Sequence, residues 1–166
     1  MKIIDGGVTA AKGFKAAGMH AGIKKGTKKD MAMIVSSAPC MAAGTFTTNL
    51  VKAAPVKWDQ HVVYEHGEAR AVVVNSGIAN ACTGAEGYGY CEETAKAAAE
   101  ALGIDKDEVL VASTGVIGKQ LPIDTIKKGV KDLSGLLLDT REAATLAAES
   151  IMTTDTVKKE VAVEVE

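Results

Sequence analysis

The chain has 166 residues, enough to bury one ordinary core, which excludes a peptide hormone or a disulfide miniprotein. Nineteen Lys plus Arg against twenty-one Asp plus Glu give a formal charge of −2, so no global basic field exists to hold nucleic acid or an anionic membrane. Hydrophobic residues make up 47% and charged residues 24%, and no apolar run approaches the roughly 20 residues that span a bilayer.

From the start, MKIIDGGVT is interrupted by Asp5 and two glycines too early to leave the apolar stretch of a secretory signal. The basic run Lys24-Lys25-Gly26-Thr27-Lys28-Lys29 gives way to MAMIVSS at Met31 to Ser37, which reads as a solvated surface turn before a buried strand, with anion binding as the alternative. Four further runs rich in Val and Thr read as strands: Gly44 to Asn49, His61 to Tyr64, Ala71 to Asn75 and Val109 to Ser113. Helix formers with early glutamates predict a helix over Cys91 to Leu102, stopped at Gly103 by a left-handed residue. Pro122 opens a second helix through about Val130. A third is predicted from Asp139 to about Met152, with Asp139 capping and Glu142 as its capping-box partner. VAVEVE, Val161 to Glu166, alternates as a half-buried strand would and stops without a turn, as if cut in mid-element. Such a strand needs a neighbour, so it points either to a larger polypeptide or partner chain, or to pairing within the domain.

Three polar clusters can carry chemistry. Asn75 to Gly84 and Ser113 to Lys119 each follow an apolar strand and join hydroxyl or amide side chains to glycines that let backbone N–H groups approach a ligand. Such pairs build oxyanion holes, although turns capped by Asn and Ser have the same composition. The third, Met152-Thr153-Thr154-Asp155-Thr156, ends the third helix, where it either caps or hydrogen-bonds an amino-acid substrate. Gly115-Val-Ile-Gly118-Lys119 lacks phosphate-loop spacing, and GAEGYGY at Gly84 to Tyr90 is not a dinucleotide fingerprint. Cys82 has no local base among His20, His61 and His66, and Glu92-Glu93 suit a helix start. The cysteines Cys40, Cys82 and Cys91 form no C-x-x-C pair and no metal-ligand spacing, which favours a reducing, cytoplasmic setting.

Taken in order, AGTFTTN at Ala43 to Asn49, VVVNSGIANACTG at Val72 to Gly84, ASTGVIG at Ala112 to Gly118 and ESIMTTDT at Glu149 to Thr156 closely resemble the ornithine acetyltransferase, or glutamate N-acetyltransferase, family. The resemblance covers essentially the whole chain and only the N-terminal half of the family's precursor, the part that becomes the α chain after self-cleavage. It implies an α/β fold of the N-terminal nucleophile acetyltransferase type, with mixed sheets and helices packed on them, residues 1–166 forming a single α-chain unit. It also implies acetyl transfer from N2-acetyl-L-ornithine to L-glutamate in cyclic arginine biosynthesis, and some members also accept acetyl-CoA.

In the family the precursor cuts itself before a threonine that becomes the nucleophile of the β chain. No threonine follows Thr156 here, so the nucleophile is expected on a β-chain partner, in an α2β2 heterotetramer without metal or organic cofactor. Carried over by position, Thr114 through its hydroxyl and Gly115 through its backbone N–H are the oxyanion-hole donors. Thr153 is the first choice for the substrate contact and Thr154 the second. Asn75 and Asn80 flank the same crevice. Ile78 stands where the family more usually has Asn, so no substrate role is carried to that position. The rival reading is a non-catalytic small-ligand or nucleotide-binding α/β domain that uses the STGVIGK loop; a third is a structural fragment whose clusters are only turns.

Overall fold

The computed structural model describes residues 1–166. The chain forms six strands, β1 (Lys2–Ile4), β2 (Phe14–Met19), β3 (Met31–Met41), β4 (Glu68–Ile78), β5 (Val109–Val116) and β6 (Ala162–Glu164), and four helices, α1 (Ala54–His61) between β3 and β4, α2 (Gly84–Leu102) between β4 and β5, and α3 (Ile123–Ser134) and α4 (Arg141–Ser150) between β5 and β6. The main sheet has the order β2-β3-β4-β5, antiparallel except for β4 and β5. Two parallel neighbours require a crossover, and α2 supplies it.

Alternation along the strands divides the sheet into two unlike faces. Met31, Met33, Val73, Val109 and Val111 point to one side, where Trp58, Cys91, Ala95, Ile126 and Leu133 of α1, α2 and α3 bury them in an 18-residue core. Trp58 donates its indole N–H to the Val109 carbonyl at 2.8 Å, fixing α1 on the first residue of β5. On the other side α4 lays Ala147 against Ala16 and Ala32. The fit is close: a Cβ on Gly18 would lie 2.2 Å from the Leu146 carbonyl oxygen. Farther along that face Leu110 is half-buried and Ala112 exposed, and they remain uncovered beside Phe14, Ile34 and Val72, which line an open hollow of about 250 Å³ with Leu110.

The strands expected from MAMIVSS, Ala71 to Asn75 and Val109 to Ser113 form, as parts of β3, β4 and β5. The helix expected over Cys91 to Leu102 starts earlier, at Gly84, and stops at Gly103 with φ +67. Pro122 stands one residue before α3, which runs on to Ser134.

Four expectations are corrected. Gly44 to Asn49 is not a strand: it has no neighbour to pair with, and its polar groups serve their own backbone, the Val51 N–H donating to Asn49 Oδ1 at 3.0 Å. His61 to Tyr64 is helical, ending α1 and entering a π-helical turn, Val62–His66, closed by Gly67 at φ +80. Trp58 and Val62 are both buried four residues apart, which is helix spacing. The cap of α4 is Thr140, whose hydroxyl accepts from the Ala143 N–H at 3.2 Å, not Asp139 with Glu142. VAVEVE does find a neighbour within the chain, β6 pairing antiparallel with β1 through Lys2–Glu164 and Ile4–Ala162. Its burial phase is the reverse of the expected one, however, with Ala162 inward and Val161, Val163 and Val165 exposed.

Candidate active site

The parallel strands β4 and β5 end together, in the register Asn75–Ser113, Ser76–Thr114 and Gly77–Gly115. Loops leaving such paired ends gather donors around a common point. Here they are laced to each other: the Ala79 N–H donates to the Val116 carbonyl and the Gly118 N–H to the Ala81 carbonyl, both at 2.9 Å.

At the end of β4 and just beyond it the polar groups are consumed internally. Asn75 is buried, donates to the Ile78 carbonyl at 2.8 Å and accepts from the Ser113 hydroxyl at 2.5 Å. Asn80, 2% exposed, donates to the Gly87 carbonyl at 2.8 Å and to Cys91 Sγ at 3.3 Å, and accepts from the Thr83 hydroxyl at 2.6 Å. The space enclosed among Asn75, Asn80 and Ser113 is about 10 Å³, room for one water at most. Both asparagines are therefore struts of the β4–α2 connection, the capped-turn alternative weighed above, and neither faces a ligand-sized crevice.

The end of β5 is arranged differently. Thr114 is half-buried and lies on the same side of β5 as Leu110 and Ala112, the side that no helix of this chain covers there. Its hydroxyl enters no hydrogen bond with another side chain or the backbone, while the neighbouring Ser113 turns inward to Asn75. Gly115 has φ +134, and a Cβ there would lie 2.3 Å from the Gly77 carbonyl carbon. Only glycine permits that backbone and that approach. Residues 115 to 120 are exposed, and α3 begins only at Ile123, so no helix N-terminus directly follows the Gly118-Lys119 pair as phosphate binding on a loop–helix junction requires.

The third polar cluster reaches these loops through α4. Ser76, fully buried, donates its hydroxyl to the Ser150 carbonyl at the end of α4, and the Ser150 hydroxyl donates back to the Leu146 carbonyl at 2.7 Å. This joins the residue paired with Thr114 to the segment carrying Thr153 and Thr154. Both threonines are exposed. Thr153 lines an open groove of about 380 Å³ with Lys24, Lys28, Lys29, Glu149 and Asp155. The basic run is not a free anion patch on this side: Lys29 pairs with Glu149 at 2.9 Å, and the Lys24 ammonium donates to the Lys29 and Met152 carbonyls. Burial lowers the Lys24 pKa, with Lys28 adding to the effect and Asp30 opposing it.

Other titratable groups serve structure. Burial pushes the Cys91 thiol up to about 12, so it stays protonated. Cys82 is exposed in a left-handed conformation, φ +57. Two of the histidines face carboxylates, His20 at 3.3 Å from Asp30 and His61 at 3.6 Å from Asp107. Burial raises Asp59 to about 6, opposed by the bond it accepts from the Val111 N–H at 3.0 Å. Glu92 pairs with Lys96 at 3.0 Å, and that hydrogen bond lowers its pKa. No three His, Cys, Asp or Glu side chains converge to hold a metal ion, and no helix is long and apolar enough to cross a membrane. Sequence reading had not singled out Ser76, Lys24 or Asp30 as organisers; a lone aspartate after a lysine-rich turn carries no signal of the backbone donors that surround it.

Comparison with known proteins adds an independent line. The chain is 52% identical to the arginine biosynthesis bifunctional protein ArgJ of Gloeobacter violaceus, over 96% of this chain and 39% of that protein. It is 43% identical to the chloroplastic protein of the same name from Zea mays, over 99% of this chain and 36% of that one. Thus it spans about two fifths of the length of the curated relatives it matches. Among solved structures, it resembles ornithine acetyltransferase of Mycobacterium tuberculosis, crystallised in complex with ornithine, at TM-score 0.92 and 44% identity, covering 96% of this chain and 86% of that one. The arginine biosynthesis bifunctional protein of Bacillus halodurans follows at TM-score 0.90 and 42% identity, covering 96% and 82%. The mixed α/β architecture expected from the sequence is the architecture of these proteins. Residues 15–166 match the ArgJ family, and the chain belongs to that family.

Proposed function

We propose that this chain is the α half of a self-cleaved acetyltransferase that moves the acetyl group of N2-acetyl-L-ornithine to L-glutamate, with the nucleophilic threonine on a β-chain partner and the working unit an α2β2 heterotetramer in the cytoplasm. Two features support the division of labour. The chain covers more than four fifths of each solved relative but about two fifths of the curated polypeptides, so the crystallised chains are themselves much shorter than those polypeptides. The uncovered sheet face beside Leu110 and Ala112, and the exposed stripe Val161, Val163 and Val165 next to Ile3, are apolar surfaces of the kind a large partner buries.

In this reading the partner's threonine oxygen attacks the acetyl carbonyl, and the carbonyl oxygen becomes an oxyanion held by the Thr114 hydroxyl and the Gly115 N–H. Collapse expels the ornithine amine, which takes up a proton, and leaves an acetyl ester on the threonine. The glutamate amine then attacks that ester through a second oxyanion in the same cradle, loses its proton and frees the threonine. Thr153, with Thr154 beside it, contacts the amino-acid substrate. A second acetyl donor, acetyl-CoA, would use the same ester.

The observation that carries the reading is the unengaged Thr114 hydroxyl on the open face beside a glycine that must be glycine. The decisive experiment is acetyl transfer by the assembled enzyme carrying Thr114→Ala. Wild-type turnover in that variant removes the oxyanion assignment.

A further inference from the structure

The segment that carries Thr153 has no regular structure of its own, since α4 ends at Ser150. Its carbonyl at Met152 is nevertheless held, by the Lys24 ammonium at 2.5 Å, and the same ammonium donates to the Lys29 carbonyl at 2.8 Å. Lys24 is itself placed by Asp30. That carboxylate is fully buried and accepts four consecutive backbone N–H groups, Ala21 at 2.6 Å, Gly22 at 3.2 Å, Ile23 at 2.7 Å and Lys24 at 2.8 Å. Asp30 in turn is anchored to the sheet, its carbonyl accepting from the Ser76 N–H at 2.8 Å.

The Lys24 stem lies over Gly77, where a Cβ would come within 2.9 Å of the Lys24 Cγ, and Gly77 is the register partner of Gly115. One side chain thus touches the floor of the Thr114–Gly115 loop with its methylenes and the Thr153 segment with its ammonium. We propose that Lys24 is a positioning residue for acetyl transfer, setting the distance between the substrate-contacting threonines and the oxyanion loop from a base fixed by Asp30. The inference rests on the function proposed above and adds to it a residue outside the oxyanion pair and the threonine cluster.

The test uses the assembled enzyme with two variants. Lys24→Met keeps the stem over Gly77 and removes the donors; Lys24→Arg keeps charge and donors in a wider, planar head. Lys24→Met should raise KM for N2-acetyl-L-ornithine roughly tenfold, about what one hydrogen bond from a misplaced Thr153 segment to the substrate is worth, with kcat reduced less and the thermal midpoint lowered by at most a few degrees. Lys24→Arg should raise KM by a smaller factor, and it carries the test if Lys24→Met fails to fold. Unchanged KM in every variant that folds overturns the inference, as does a loss confined to kcat that tracks a lowered thermal midpoint. If the wild-type assembly transfers no acetyl group at all, the proposed function fails and this inference with it, whereas active wild-type enzyme with indifferent Lys24 variants removes only the role of Lys24.

Discussion

The C-terminal ends of β4 and β5 are adjacent and register-matched, and each joins hydroxyl or amide side chains to glycine, yet they end in opposite states. At the end of β4 and just beyond it, Asn75, Asn80 and Thr83 bond to one another's surroundings around a space for a single water. At the end of β5, the Thr114 hydroxyl is free of partners and residues 115 to 120 are exposed. Polar side chains near a strand end do not by themselves make a site. What separates the two strand ends is whether a helix start closes over the polar groups, as α2 does through Gly87, where a Cβ would lie 2.5 Å from Asn80 Oδ1. A buried amide that satisfies its neighbours holds shape, whereas a donor left open toward a partner can meet charge as it develops.

The comparison breaks first at Thr114. Thr114→Ala should lower kcat about 100-fold to 1,000-fold, the usual loss with one oxyanion donor, while its thermal midpoint stays near that of the wild type; steady-state kinetics and calorimetry on one preparation separate the two. Asn80→Ala should do the reverse: removing an amide that serves Gly87, Cys91 and Thr83 costs on the order of 2–3 kcal/mol of stability, read by denaturant unfolding.

Asp59 sharpens the picture on the core side of β5. Its folded value of about 6 lies above the ordinary 3.8, so the folded chain keeps a proton that the unfolded chain loses. Its contribution is most favourable below about pH 4 and declines as pH rises through 6. Asp59→Asn keeps an acceptor for the Val111 N–H and has no such decline, so it should be more stable than wild type by on the order of 1–2 kcal/mol at pH 7, with the gain vanishing near pH 4. The smallest effect belongs to Cys82, exposed beside the closed loop: Cys82→Ser should leave acetyl transfer unchanged, and a large loss would reopen cysteine chemistry.

Much of this architecture was legible because it rests on local pattern. The Val-rich cores of β4 and β5 and the Gly103 stop of α2 follow from periodicity and left-handed glycine. Two β-branched runs misled, for different reasons. Gly44 to Asn49 has strand composition but no neighbour, and strand propensity means little without pairing. His61 to Tyr64 was drawn into helix because Trp58 and Val62 bury the same face. The strands β1 and β2 were missed: one is only three residues long, and the other, FKAAGM, contains Lys, Ala and Gly rather than β-branched residues. Thr114 and Gly115, and Thr153 with Thr154, were singled out through two motifs shared with the resembled family. The sorting of Asn75 and Asn80 into struts depends on contacts between loops, and the Asp30–Lys24 arrangement on four backbone N–H groups aimed at one carboxylate. Neither has a sequence period.

The ribbon of β1 and β6 has a consequence for biogenesis. Residues 2–4 and 162–164 are each other's only ladder partners, so during translation the first strand must wait, unzipped, until nearly the whole of this stretch has emerged from the ribosome. The main sheet, whose β2-β3-β4-β5 order follows the order of synthesis, can assemble before that seam closes. The seam's closure cannot precede the synthesis of β6, whatever the main sheet has done by then.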